Sequence, residues 1–591
     1  MVDLKEFLFS RRCRPVFFSI LFAANLVWFY PLEFHTLMGD DLLRWAEVSS
    51  FSSVADAFST IVDGTKYRPV NDLCHYILFG LFSHDAQLFF YFNILFNFLI
   101  IVALFALVED VTGNDPVLAF CACVAYITAR FSYYNILQVY GILEALSLLL
   151  LILIIRCVIR FTRTGAVKWA MFAALLYLLL VLTHERYLAL LPFLLLAFAL
   201  FDRSSGYFRK GVLLGAAVLP FLLNFLQKTL VFHIQFVTRT ATIPFQLNVF
   251  SILEKMGLGL SKIAGINNGP VYLNMTPFQA QDTAVQVAAI LIATLMALLL
   301  VHALYRSALW RLPEQSQNLK HALVWAALLG VLLFSASIVA DQEQRWLYSS
   351  FLTVLVFLSY FLSNFRIGRS SAPKYVVAVV LVALMVHNDI YYRRVLSSLH
   401  FARANLIADS FYDVTVKRYG TNIADRDLYV EKFRDYQWIL QGSTFFKPYI
   451  PQRNVNVAYV DSIEQISPEV RQSDRSLIYV LDRDLLRMID LKNPDPLALI
   501  KFGPQSIKAG QVFNRQPNGE SAIWAQTENA SQYTVFVLNG TELETAVTMD
   551  GKGATAAVPK QLYEKPGEYS LFLLDKRTGK KSDSLKFVVA P

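Results

Sequence analysis

The sequence predicts a mainly α protein: a polytopic transmembrane helical bundle of about 11 spans, followed by a C-terminal extracytoplasmic region that holds a small α/β unit and a β-sandwich. Three observations carry this expectation. Hydrophobic residues make up 55% of the 591 and charged ones only 17%, a balance too apolar for an ordinary soluble domain. Eleven apolar runs are long enough to cross, or nearly cross, a bilayer. From about Ser521 the texture changes to alternating runs such as Tyr533–Leu538 and Tyr569–Leu574, separated by Asn539-Gly540, Asp550-Gly551 and Pro566-Gly567, the turn chemistry of hairpins.

In order, the apolar runs are Pro15–Leu32, Ala86–Val108, Pro116–Arg130, Leu137–Val158, Val167–Thr183 and Tyr187–Phe201. Gly211–Val231, Ala284–Leu304, His321–Ala340, Trp346–Leu362 and Tyr375–His387 complete the set. The first follows Lys5, Arg11, Arg12 and Arg14, like the basic start of a signal peptide. No small-residue cleavage site follows it, and Trp28-Phe29-Tyr30-Pro31 reads as an interfacial anchor, so it is taken as a retained span. Alternate threading from an inside N-terminus places Arg156/Arg160/Arg163/Lys168, Arg203/Arg209/Lys210, Arg306/Arg311/Lys320 and Arg366/Arg369/Lys374 in cytoplasmic loops. With the N-terminal four, 17 of the 27 basic residues before Asp389 lie on that side, as the positive-inside rule requires. Eleven crossings put the tail outside a bacterial inner (plasma) membrane. The tail then reads as an amphipathic helix (Tyr392–Arg418), strands Val455–Val460 and Ser476–Leu481, a helical stretch Asp482–Leu491, and the sandwich. Three domains result: 1–388, 389–515 and 516–591.

The formal charge of +8 does not point to nucleic acid, because the residues from Asp389 onward carry 26 Lys+Arg against 24 Asp+Glu and the excess lies in short loops between spans. None of the five cysteines lies in the last 200 residues, and no Cys/His cluster has zinc spacing. A Walker A loop or Gly-rich nucleotide fingerprint is also missing.

The threading puts the polar oddities at outer ends of spans. Asp40 and Asp41, in Gly39-Asp40-Asp41-Leu42, fit two readings. One is a helix N-cap with Arg44 as the i,i+4 partner of Asp40. The other is a general base, which an acceptor hydroxyl attacking an anomeric carbon needs; the Arg44 pairing slightly favours Asp41 in that role. In Tyr67-Arg68-Pro69-Val70-Asn71, Pro69 can start a helix, with Asn71 and His75 one turn apart within reach of Arg68. That set is either a phosphate cradle or an arginine reaching for lipid headgroups. Thr183-His184-Glu185-Arg186-Tyr187 fills a short outer turn, as a functional cluster or as ion pairs capping a hairpin. Glu144 lies about two turns below the outer end of its span. Asn93 and Asn97 share one helix face, Asn224 and Lys228 another, and the Lys228 ammonium suits either snorkelling or a lipid phosphate. The longest loop, Phe232–Asp282, contains Arg239, Asn267-Asn268-Gly269-Pro270 and Tyr272, as a lid or a linker.

Gly39-Asp40-Asp41, Tyr67-Arg68-Pro69, Thr183-His184-Glu185-Arg186 and Gln344-Arg345-Trp346-Leu347-Tyr348, in this order and topology, resemble the GT-C superfamily of polytopic glycosyltransferases over roughly Met1–Leu362. The resemblance implies a polyprenyl-phosphate-linked sugar as donor, a cell-envelope glycan, lipid or protein as acceptor, membrane lipids as surroundings, and an acidic residue of the first outer loop, Asp40 or Asp41, as base. It also implies that basic groups at outer span ends, Arg345 and Arg68, hold the leaving phosphate. The second acidic pair of many members has no close match, since Phe232–Asp282 offers only Glu254 and Asp282. No cofactor is implied with certainty, and a divalent metal is compatible with the acidic pair. A lipid-linked polysaccharide polymerase or ligase is an alternative class, which should place its key basic residues in one large late outer loop. A lipid or glycan transporter is another, which should carry charges through both leaflets.

Overall fold

A computed structural model describes residues 13–62, 64–202, 206–236, 248–266, 277–307, 316–339, 342–365, 370, 372–393, 399–433, 436–482, 485–517, 519–548 and 550–591. Two compact units form: Met1–Leu37 with Arg44–Arg403, and Met38–Leu43 with Ala404–Pro591.

In the first unit the helices are α1 (Arg14–Phe29), α2 (Asp40–Val48, its first residues belonging to the second unit), α3 (Pro69–Phe82), α4 (Ala86–Thr112), α5 (Pro116–Thr128), α6 (Tyr133–Leu137), α7 (Ile142–Thr164) and α8 (Val167–Thr183). They continue as α9 (Leu191–Phe201), α10 (Tyr207–Leu226), α11 (Val249–Ile263), α12 (Thr283–Ser307), α13 (Ser316–Ser337), α14 (Tyr348–Ser363) and α15 (Pro373–Arg393). Every apolar run of the sequence falls mainly on helix among the described residues. Among the described residues eight helices are long and apolar enough to cross a membrane, and nine if α5 and the segment Arg130–Leu137, bent by 58° from it, form one broken span. The bend and the irregular turn at Gln138–Gly141 divide what the hydropathy pattern joins. Helix α8 has 17 residues, and α9 only 11 because the 3-10 turn Glu185–Leu190 precedes it. At 1.5 Å per residue these reach about 25 and about 17 Å, short of a hydrocarbon core about 30 Å thick. The protein is a multi-pass membrane protein.

Two long helices make the centre. The spans Ile142–Thr164 and Gln344–Ser363 are buried over 72% of their apolar windows, against 28% for α1, α10, α12 and α15, whose outer faces stay apolar, as lipid-facing helices do. Cross-helix amides stitch the centre: Asn97 donates to Asn25 at 2.7 Å, and Tyr126 donates to Asn97 at 2.9 Å.

The second unit resumes, after Met38–Leu43, within α16 (His400–Val414, its first residues belonging to the first unit), where Ala404, Ile407, Ala408 and Phe411 are buried at helical spacing; the residues just before the helix, 394–398, lie outside the described set. A four-stranded sheet follows, ordered β2-β1-β3-β4, with β1 (Asp427–Glu431), β2 (Asn456–Val460) and β3 (Ser476–Asp482) parallel and β4 (Arg487–Asp490) antiparallel. A short helix, α17 (Tyr436–Leu440), lies between β1 and β2. The expected helix at Asp482–Leu491 is instead a hairpin return. The Asp482 carboxylate accepts from the Leu485 amide at 3.2 Å, and Leu486 takes φ +52°, a conformation that no helix continues through.

The sandwich packs the sheet β10-β11-β7-β5 on the sheet β6-β13-β12-β8-β9, where β5 is Ala498–Gly503, β6 Ser506–Lys508, β7 Ser521–Glu528, β8 Thr534–Leu538 and β9 Thr541–Leu543. β10 is Thr545–Val547, β11 Gly553–Val558, β12 Gly567–Asp575 and β13 Leu585–Ala590. Its core joins Ile523, Phe536, Leu571, Leu573 and Phe587. It starts earlier than the turn pattern suggests, because β5 pairs with β7 through a bulge between Leu499 and Lys501 that scrambles the alternation of that strand.

Candidate functional site

Most of the ionisable residues singled out in the membrane half meet at one end of the bundle. The start of α7, the end of α8, the start of α3, the turn before α14 and the end of α10 all lie there. Gly141 permits the arrival of α7, since a Cβ on it would lie 2.5 Å from the Tyr134 carbonyl oxygen and 2.7 Å from Asn135 Cα. Asn93 braces the same turn, donating to the carbonyls of Ile136 at 3.3 Å and Gln138 at 3.0 Å. Glu144 therefore sits in the first turn of α7, not two turns below its end as the hydropathy pattern suggests.

Arg68 is the residue before α3, which Pro69 opens. Each of its three guanidinium nitrogens is engaged: Nε and Nη2 donate to the two Glu185 oxygens at 2.7 Å each, and Nη1 donates to the Tyr140 hydroxyl at 3.0 Å. Arg186 donates from Nη2 to Glu144 at 2.5 Å, while its buried Nη1 has no hydrogen-bond partner among the described residues. His184 lies between the two pairs. Its Nδ1 accepts from the Arg186 amide at 3.3 Å, which puts the proton on Nε2, facing Glu144 Oε1 at 3.4 Å. Burial, against the pull of Glu144, pushes the His184 imidazole down to about 4, so it is neutral at pH 7. Burial alone would raise the Glu185 carboxyl, but Arg68 outweighs it and holds the group well below the usual carboxylate range. Arg345 pairs with Glu343, lies over the Tyr134 ring at 4.6 Å, and is within electrostatic reach of Glu144.

Lys228 lies in the turn of π-helix, Gln227–Val231, that ends α10. The side chain is 1% exposed; its ammonium donates to the Phe236 carbonyl at 2.9 Å and feels the charges of Glu185 and Arg68. Phe232, just beyond that turn, packs its ring against that of Tyr67, centroids 4.6 Å apart and planes tilted by 41°, and so ties the end of α10 to the residue before Arg68. Asn224, one turn earlier, is fully buried, and neither amide atom has a hydrogen-bond partner among the described residues. A wide turn at the end of a span with an ammonium and an unsatisfied amide inside it is a built polar site, and π-turns recur at functional positions.

Asn71 and His75 engage other groups. Asn71 donates to Asp72 at 3.3 Å, and His75 Nδ1 lies 2.9 Å from the Asn71 carbonyl oxygen. Asp72 is fully buried and pairs with Arg44 at 2.5 Å, a pair the spacing of the sequence did not suggest. Arg44 donates as well to Glu47 at 2.5 Å, so the guanidinium expected beside Asp40 serves Glu47 and Asp72.

In the second unit, Asp40 and Asp41 are the first two residues of α2, directly after Gly39. Both carboxylates therefore sit in the first turn, at the positive end of the helix dipole, and not at the N-cap. Asp41 is fully buried; Asp40 is half-buried and accepts from Trp438 Nε1 at 3.0 Å. In the long loop, Asp282 caps α12 through the Ala284 amide at 2.8 Å. Arg239, Asn267-Asn268-Gly269-Pro270 and Tyr272 lie outside the described residues. Among those described, no group of three His, Cys, Asp or Glu could hold a metal ion.

No family model matches the chain, and no curated protein matches it either. Among solved structures it is similar to a mutant of arabinofuranosyltransferase AftD from Mycobacteria, determined by single-particle cryo-EM, at 14% identity and a TM-score of 0.41, over 85% of this chain and 40% of that one. It is also similar to ArnT from Cupriavidus metallidurans bound to undecaprenyl phosphate, at 14% identity and a TM-score of 0.40, over 80% of this chain and 94% of that one. The chain thus spans less than half the length of the AftD structure that it matches.

Proposed function

We propose that the protein is an inverting glycosyltransferase of the GT-C type, moving a sugar from a polyprenyl-phosphate donor to a cell-envelope glycan, lipid or protein at the outer face of the membrane. The observation that carries this reading is the gathering of Arg68, Arg186, Arg345 and Lys228 at one end of the bundle, each anchored by a different span end or turn. The pairs Arg156–Asp110, half-wet, and Lys374–Asp115, drier, mark the other end, which the positive-inside rule assigns to the cytoplasm. Fixed cations in a dry site are what a departing lipid phosphate requires, because they need no reorganisation as its charge develops. One carboxylate of the Asp40–Asp41 pair takes the proton of the acceptor hydroxyl as it attacks the anomeric carbon from the face opposite the phosphate. The sugar–phosphate bond breaks, the configuration inverts, and the electron pair leaves with the phosphate.

The cations divide by what they have left to give. Arg68 has each of its three guanidinium nitrogens engaged, by Glu185 and Tyr140, whereas among the described residues Arg186 Nη1 has no hydrogen bond and Lys228 uses one of three ammonium protons. We therefore assign the phosphate first to Arg186 and Lys228, with Arg345 beside them and Arg68 as the brace of Glu185. Binding of polyprenyl phosphate to the purified protein tests this. Lys228→Ala and Arg186→Ala should each weaken it by about 1.5–3 kcal/mol, the range of a lost charge-assisted hydrogen bond. Parental affinity in both variants would remove the donor site from this end of the bundle.

A further inference from the structure

The tail meets the acidic turn through α17, at three points within the second unit. Nε1 of Trp438, 398 residues away in sequence, donates to Asp40 Oδ1 at 3.0 Å. The Gly39 amide donates to the Ile439 carbonyl at 2.8 Å. Gly39 takes φ +55°, and a Cβ there would lie 2.8 Å from two carbons of the Trp438 ring, so both conformation and space close this position to other residues. The turn that starts α2 is thus gripped by backbone, ring face and ring N–H together.

The consequence falls on one of the two carboxylates. Adjacent side chains on a helix diverge by about 100°, so one indole serves one aspartate. Asp41 is fully buried, while Asp40 keeps part of its surface open. An indole N–H is a donor only, so its bond to Oδ1 favours the ionised carboxylate and fixes its rotamer, leaving Oδ2 to take a proton. A base held by a third group is the arrangement that general-base catalysis needs.

We propose that Trp438 is a positioning residue for the reaction, and that the carboxylate it orients, Asp40, is the base. This rests on the glycosyl-transfer reading above. The tail unit is then part of the catalytic apparatus and not only an accessory for acceptor capture.

The test is a set of variants assayed for turnover on a polyprenyl-phosphate sugar donor, using the full chain in detergent. Trp438→Phe keeps a ring over Gly39 and removes the N–H. It should lower kcat about 10-fold, as for loss of a hydrogen bond to a charged group, with the donor KM unchanged. Trp438→His, which restores a ring N–H, should recover part of the rate and survives as a readout should the Phe variant fold poorly. In an Asp40→Asn background Trp438→Phe should cost nothing further, whereas a packing role would multiply with it. A donor KM that rises with the fall in kcat, a His variant no better than Phe, or multiplying effects would each overturn the assignment. Parental turnover in both Asp40→Asn and Asp41→Asn would overturn the base reading itself, whatever the Trp438 variants do.

Discussion

The two ends of α7 carry the same chemistry in different surroundings. At one end Arg186 meets Glu144 with side chains 9% and 3% exposed; about 18 Å along the helix, Arg156 meets Asp110 with both at 24%. Removing two charges from water costs several kcal/mol per ion, while a half-wet pair costs little and contributes little. A fold that needed only a stitch between helices has one at Arg156. The dry pair, with His184 held neutral beside it and Arg345 in electrostatic reach, fits a site whose charges must stay fixed while another charge develops among them.

The comparison breaks most readily at Glu144. Glu144→Ala leaves the Arg186 guanidinium buried and uncompensated, and should lower stability by roughly 3–5 kcal/mol, read as a thermal shift in detergent. A loss under 1 kcal/mol would mean that this end is wetter than its geometry indicates.

A smaller effect comes from His184. Its folded pKa, about 4, lies below the ordinary 6.5, so between these values the unfolded chain binds a proton that the folded one refuses. Stability should therefore fall as the pH drops from about 6.5 towards 4, by at most about 3 kcal/mol. His184→Gln, which keeps a donor and an acceptor, should flatten that slope. A slope that survives in the Gln variant would transfer it to another group.

At the far end, Asp110→Ala should change stability by less than about 1 kcal/mol. A loss as large as that of Glu144→Ala would erase the distinction between the two ends.

How much of this was legible before folding differs between the elements. Runs of apolar residues name helices because a bilayer leaves the backbone no other partner, and the hairpin turns of the sandwich announce themselves through Asn539-Gly540 and Asp550-Gly551. Hydropathy does not register the bend at Ala129 or the 3-10 turn Glu185–Leu190, which leave eight or nine helices among the described residues long enough to cross by themselves. The turn at Asp482–Leu491 looked helical because Leu485, Leu486, Met488 and Ile489 are apolar, and only the positive φ at Leu486 reveals the return. In the site, ionisable residues in or beside apolar runs marked His184, Glu185, Arg186, Lys228 and Glu144, since charge there is costly and rarely idle. Their partners were not marked. Arg44 reads locally as an i,i+4 partner of Asp40, and its pairing with Asp72, 28 residues on, comes from the packing of α2 against α3. Trp438 carries no signal at all, because its partner lies almost 400 residues away.

The central claim is that the acidic turn performs the proton transfer of a sugar-transfer reaction, and the turnover of purified Asp40→Asn tests it most directly. Asn keeps the shape of the side chain and an oxygen for the Trp438 N–H but cannot accept the proton. The account predicts a variant that folds, unfolds near the parental temperature and binds polyprenyl phosphate as the parent does, yet transfers sugar about 10²- to 10⁴-fold more slowly. Turnover within a few-fold of the parent, in a variant equally stable, would contradict it.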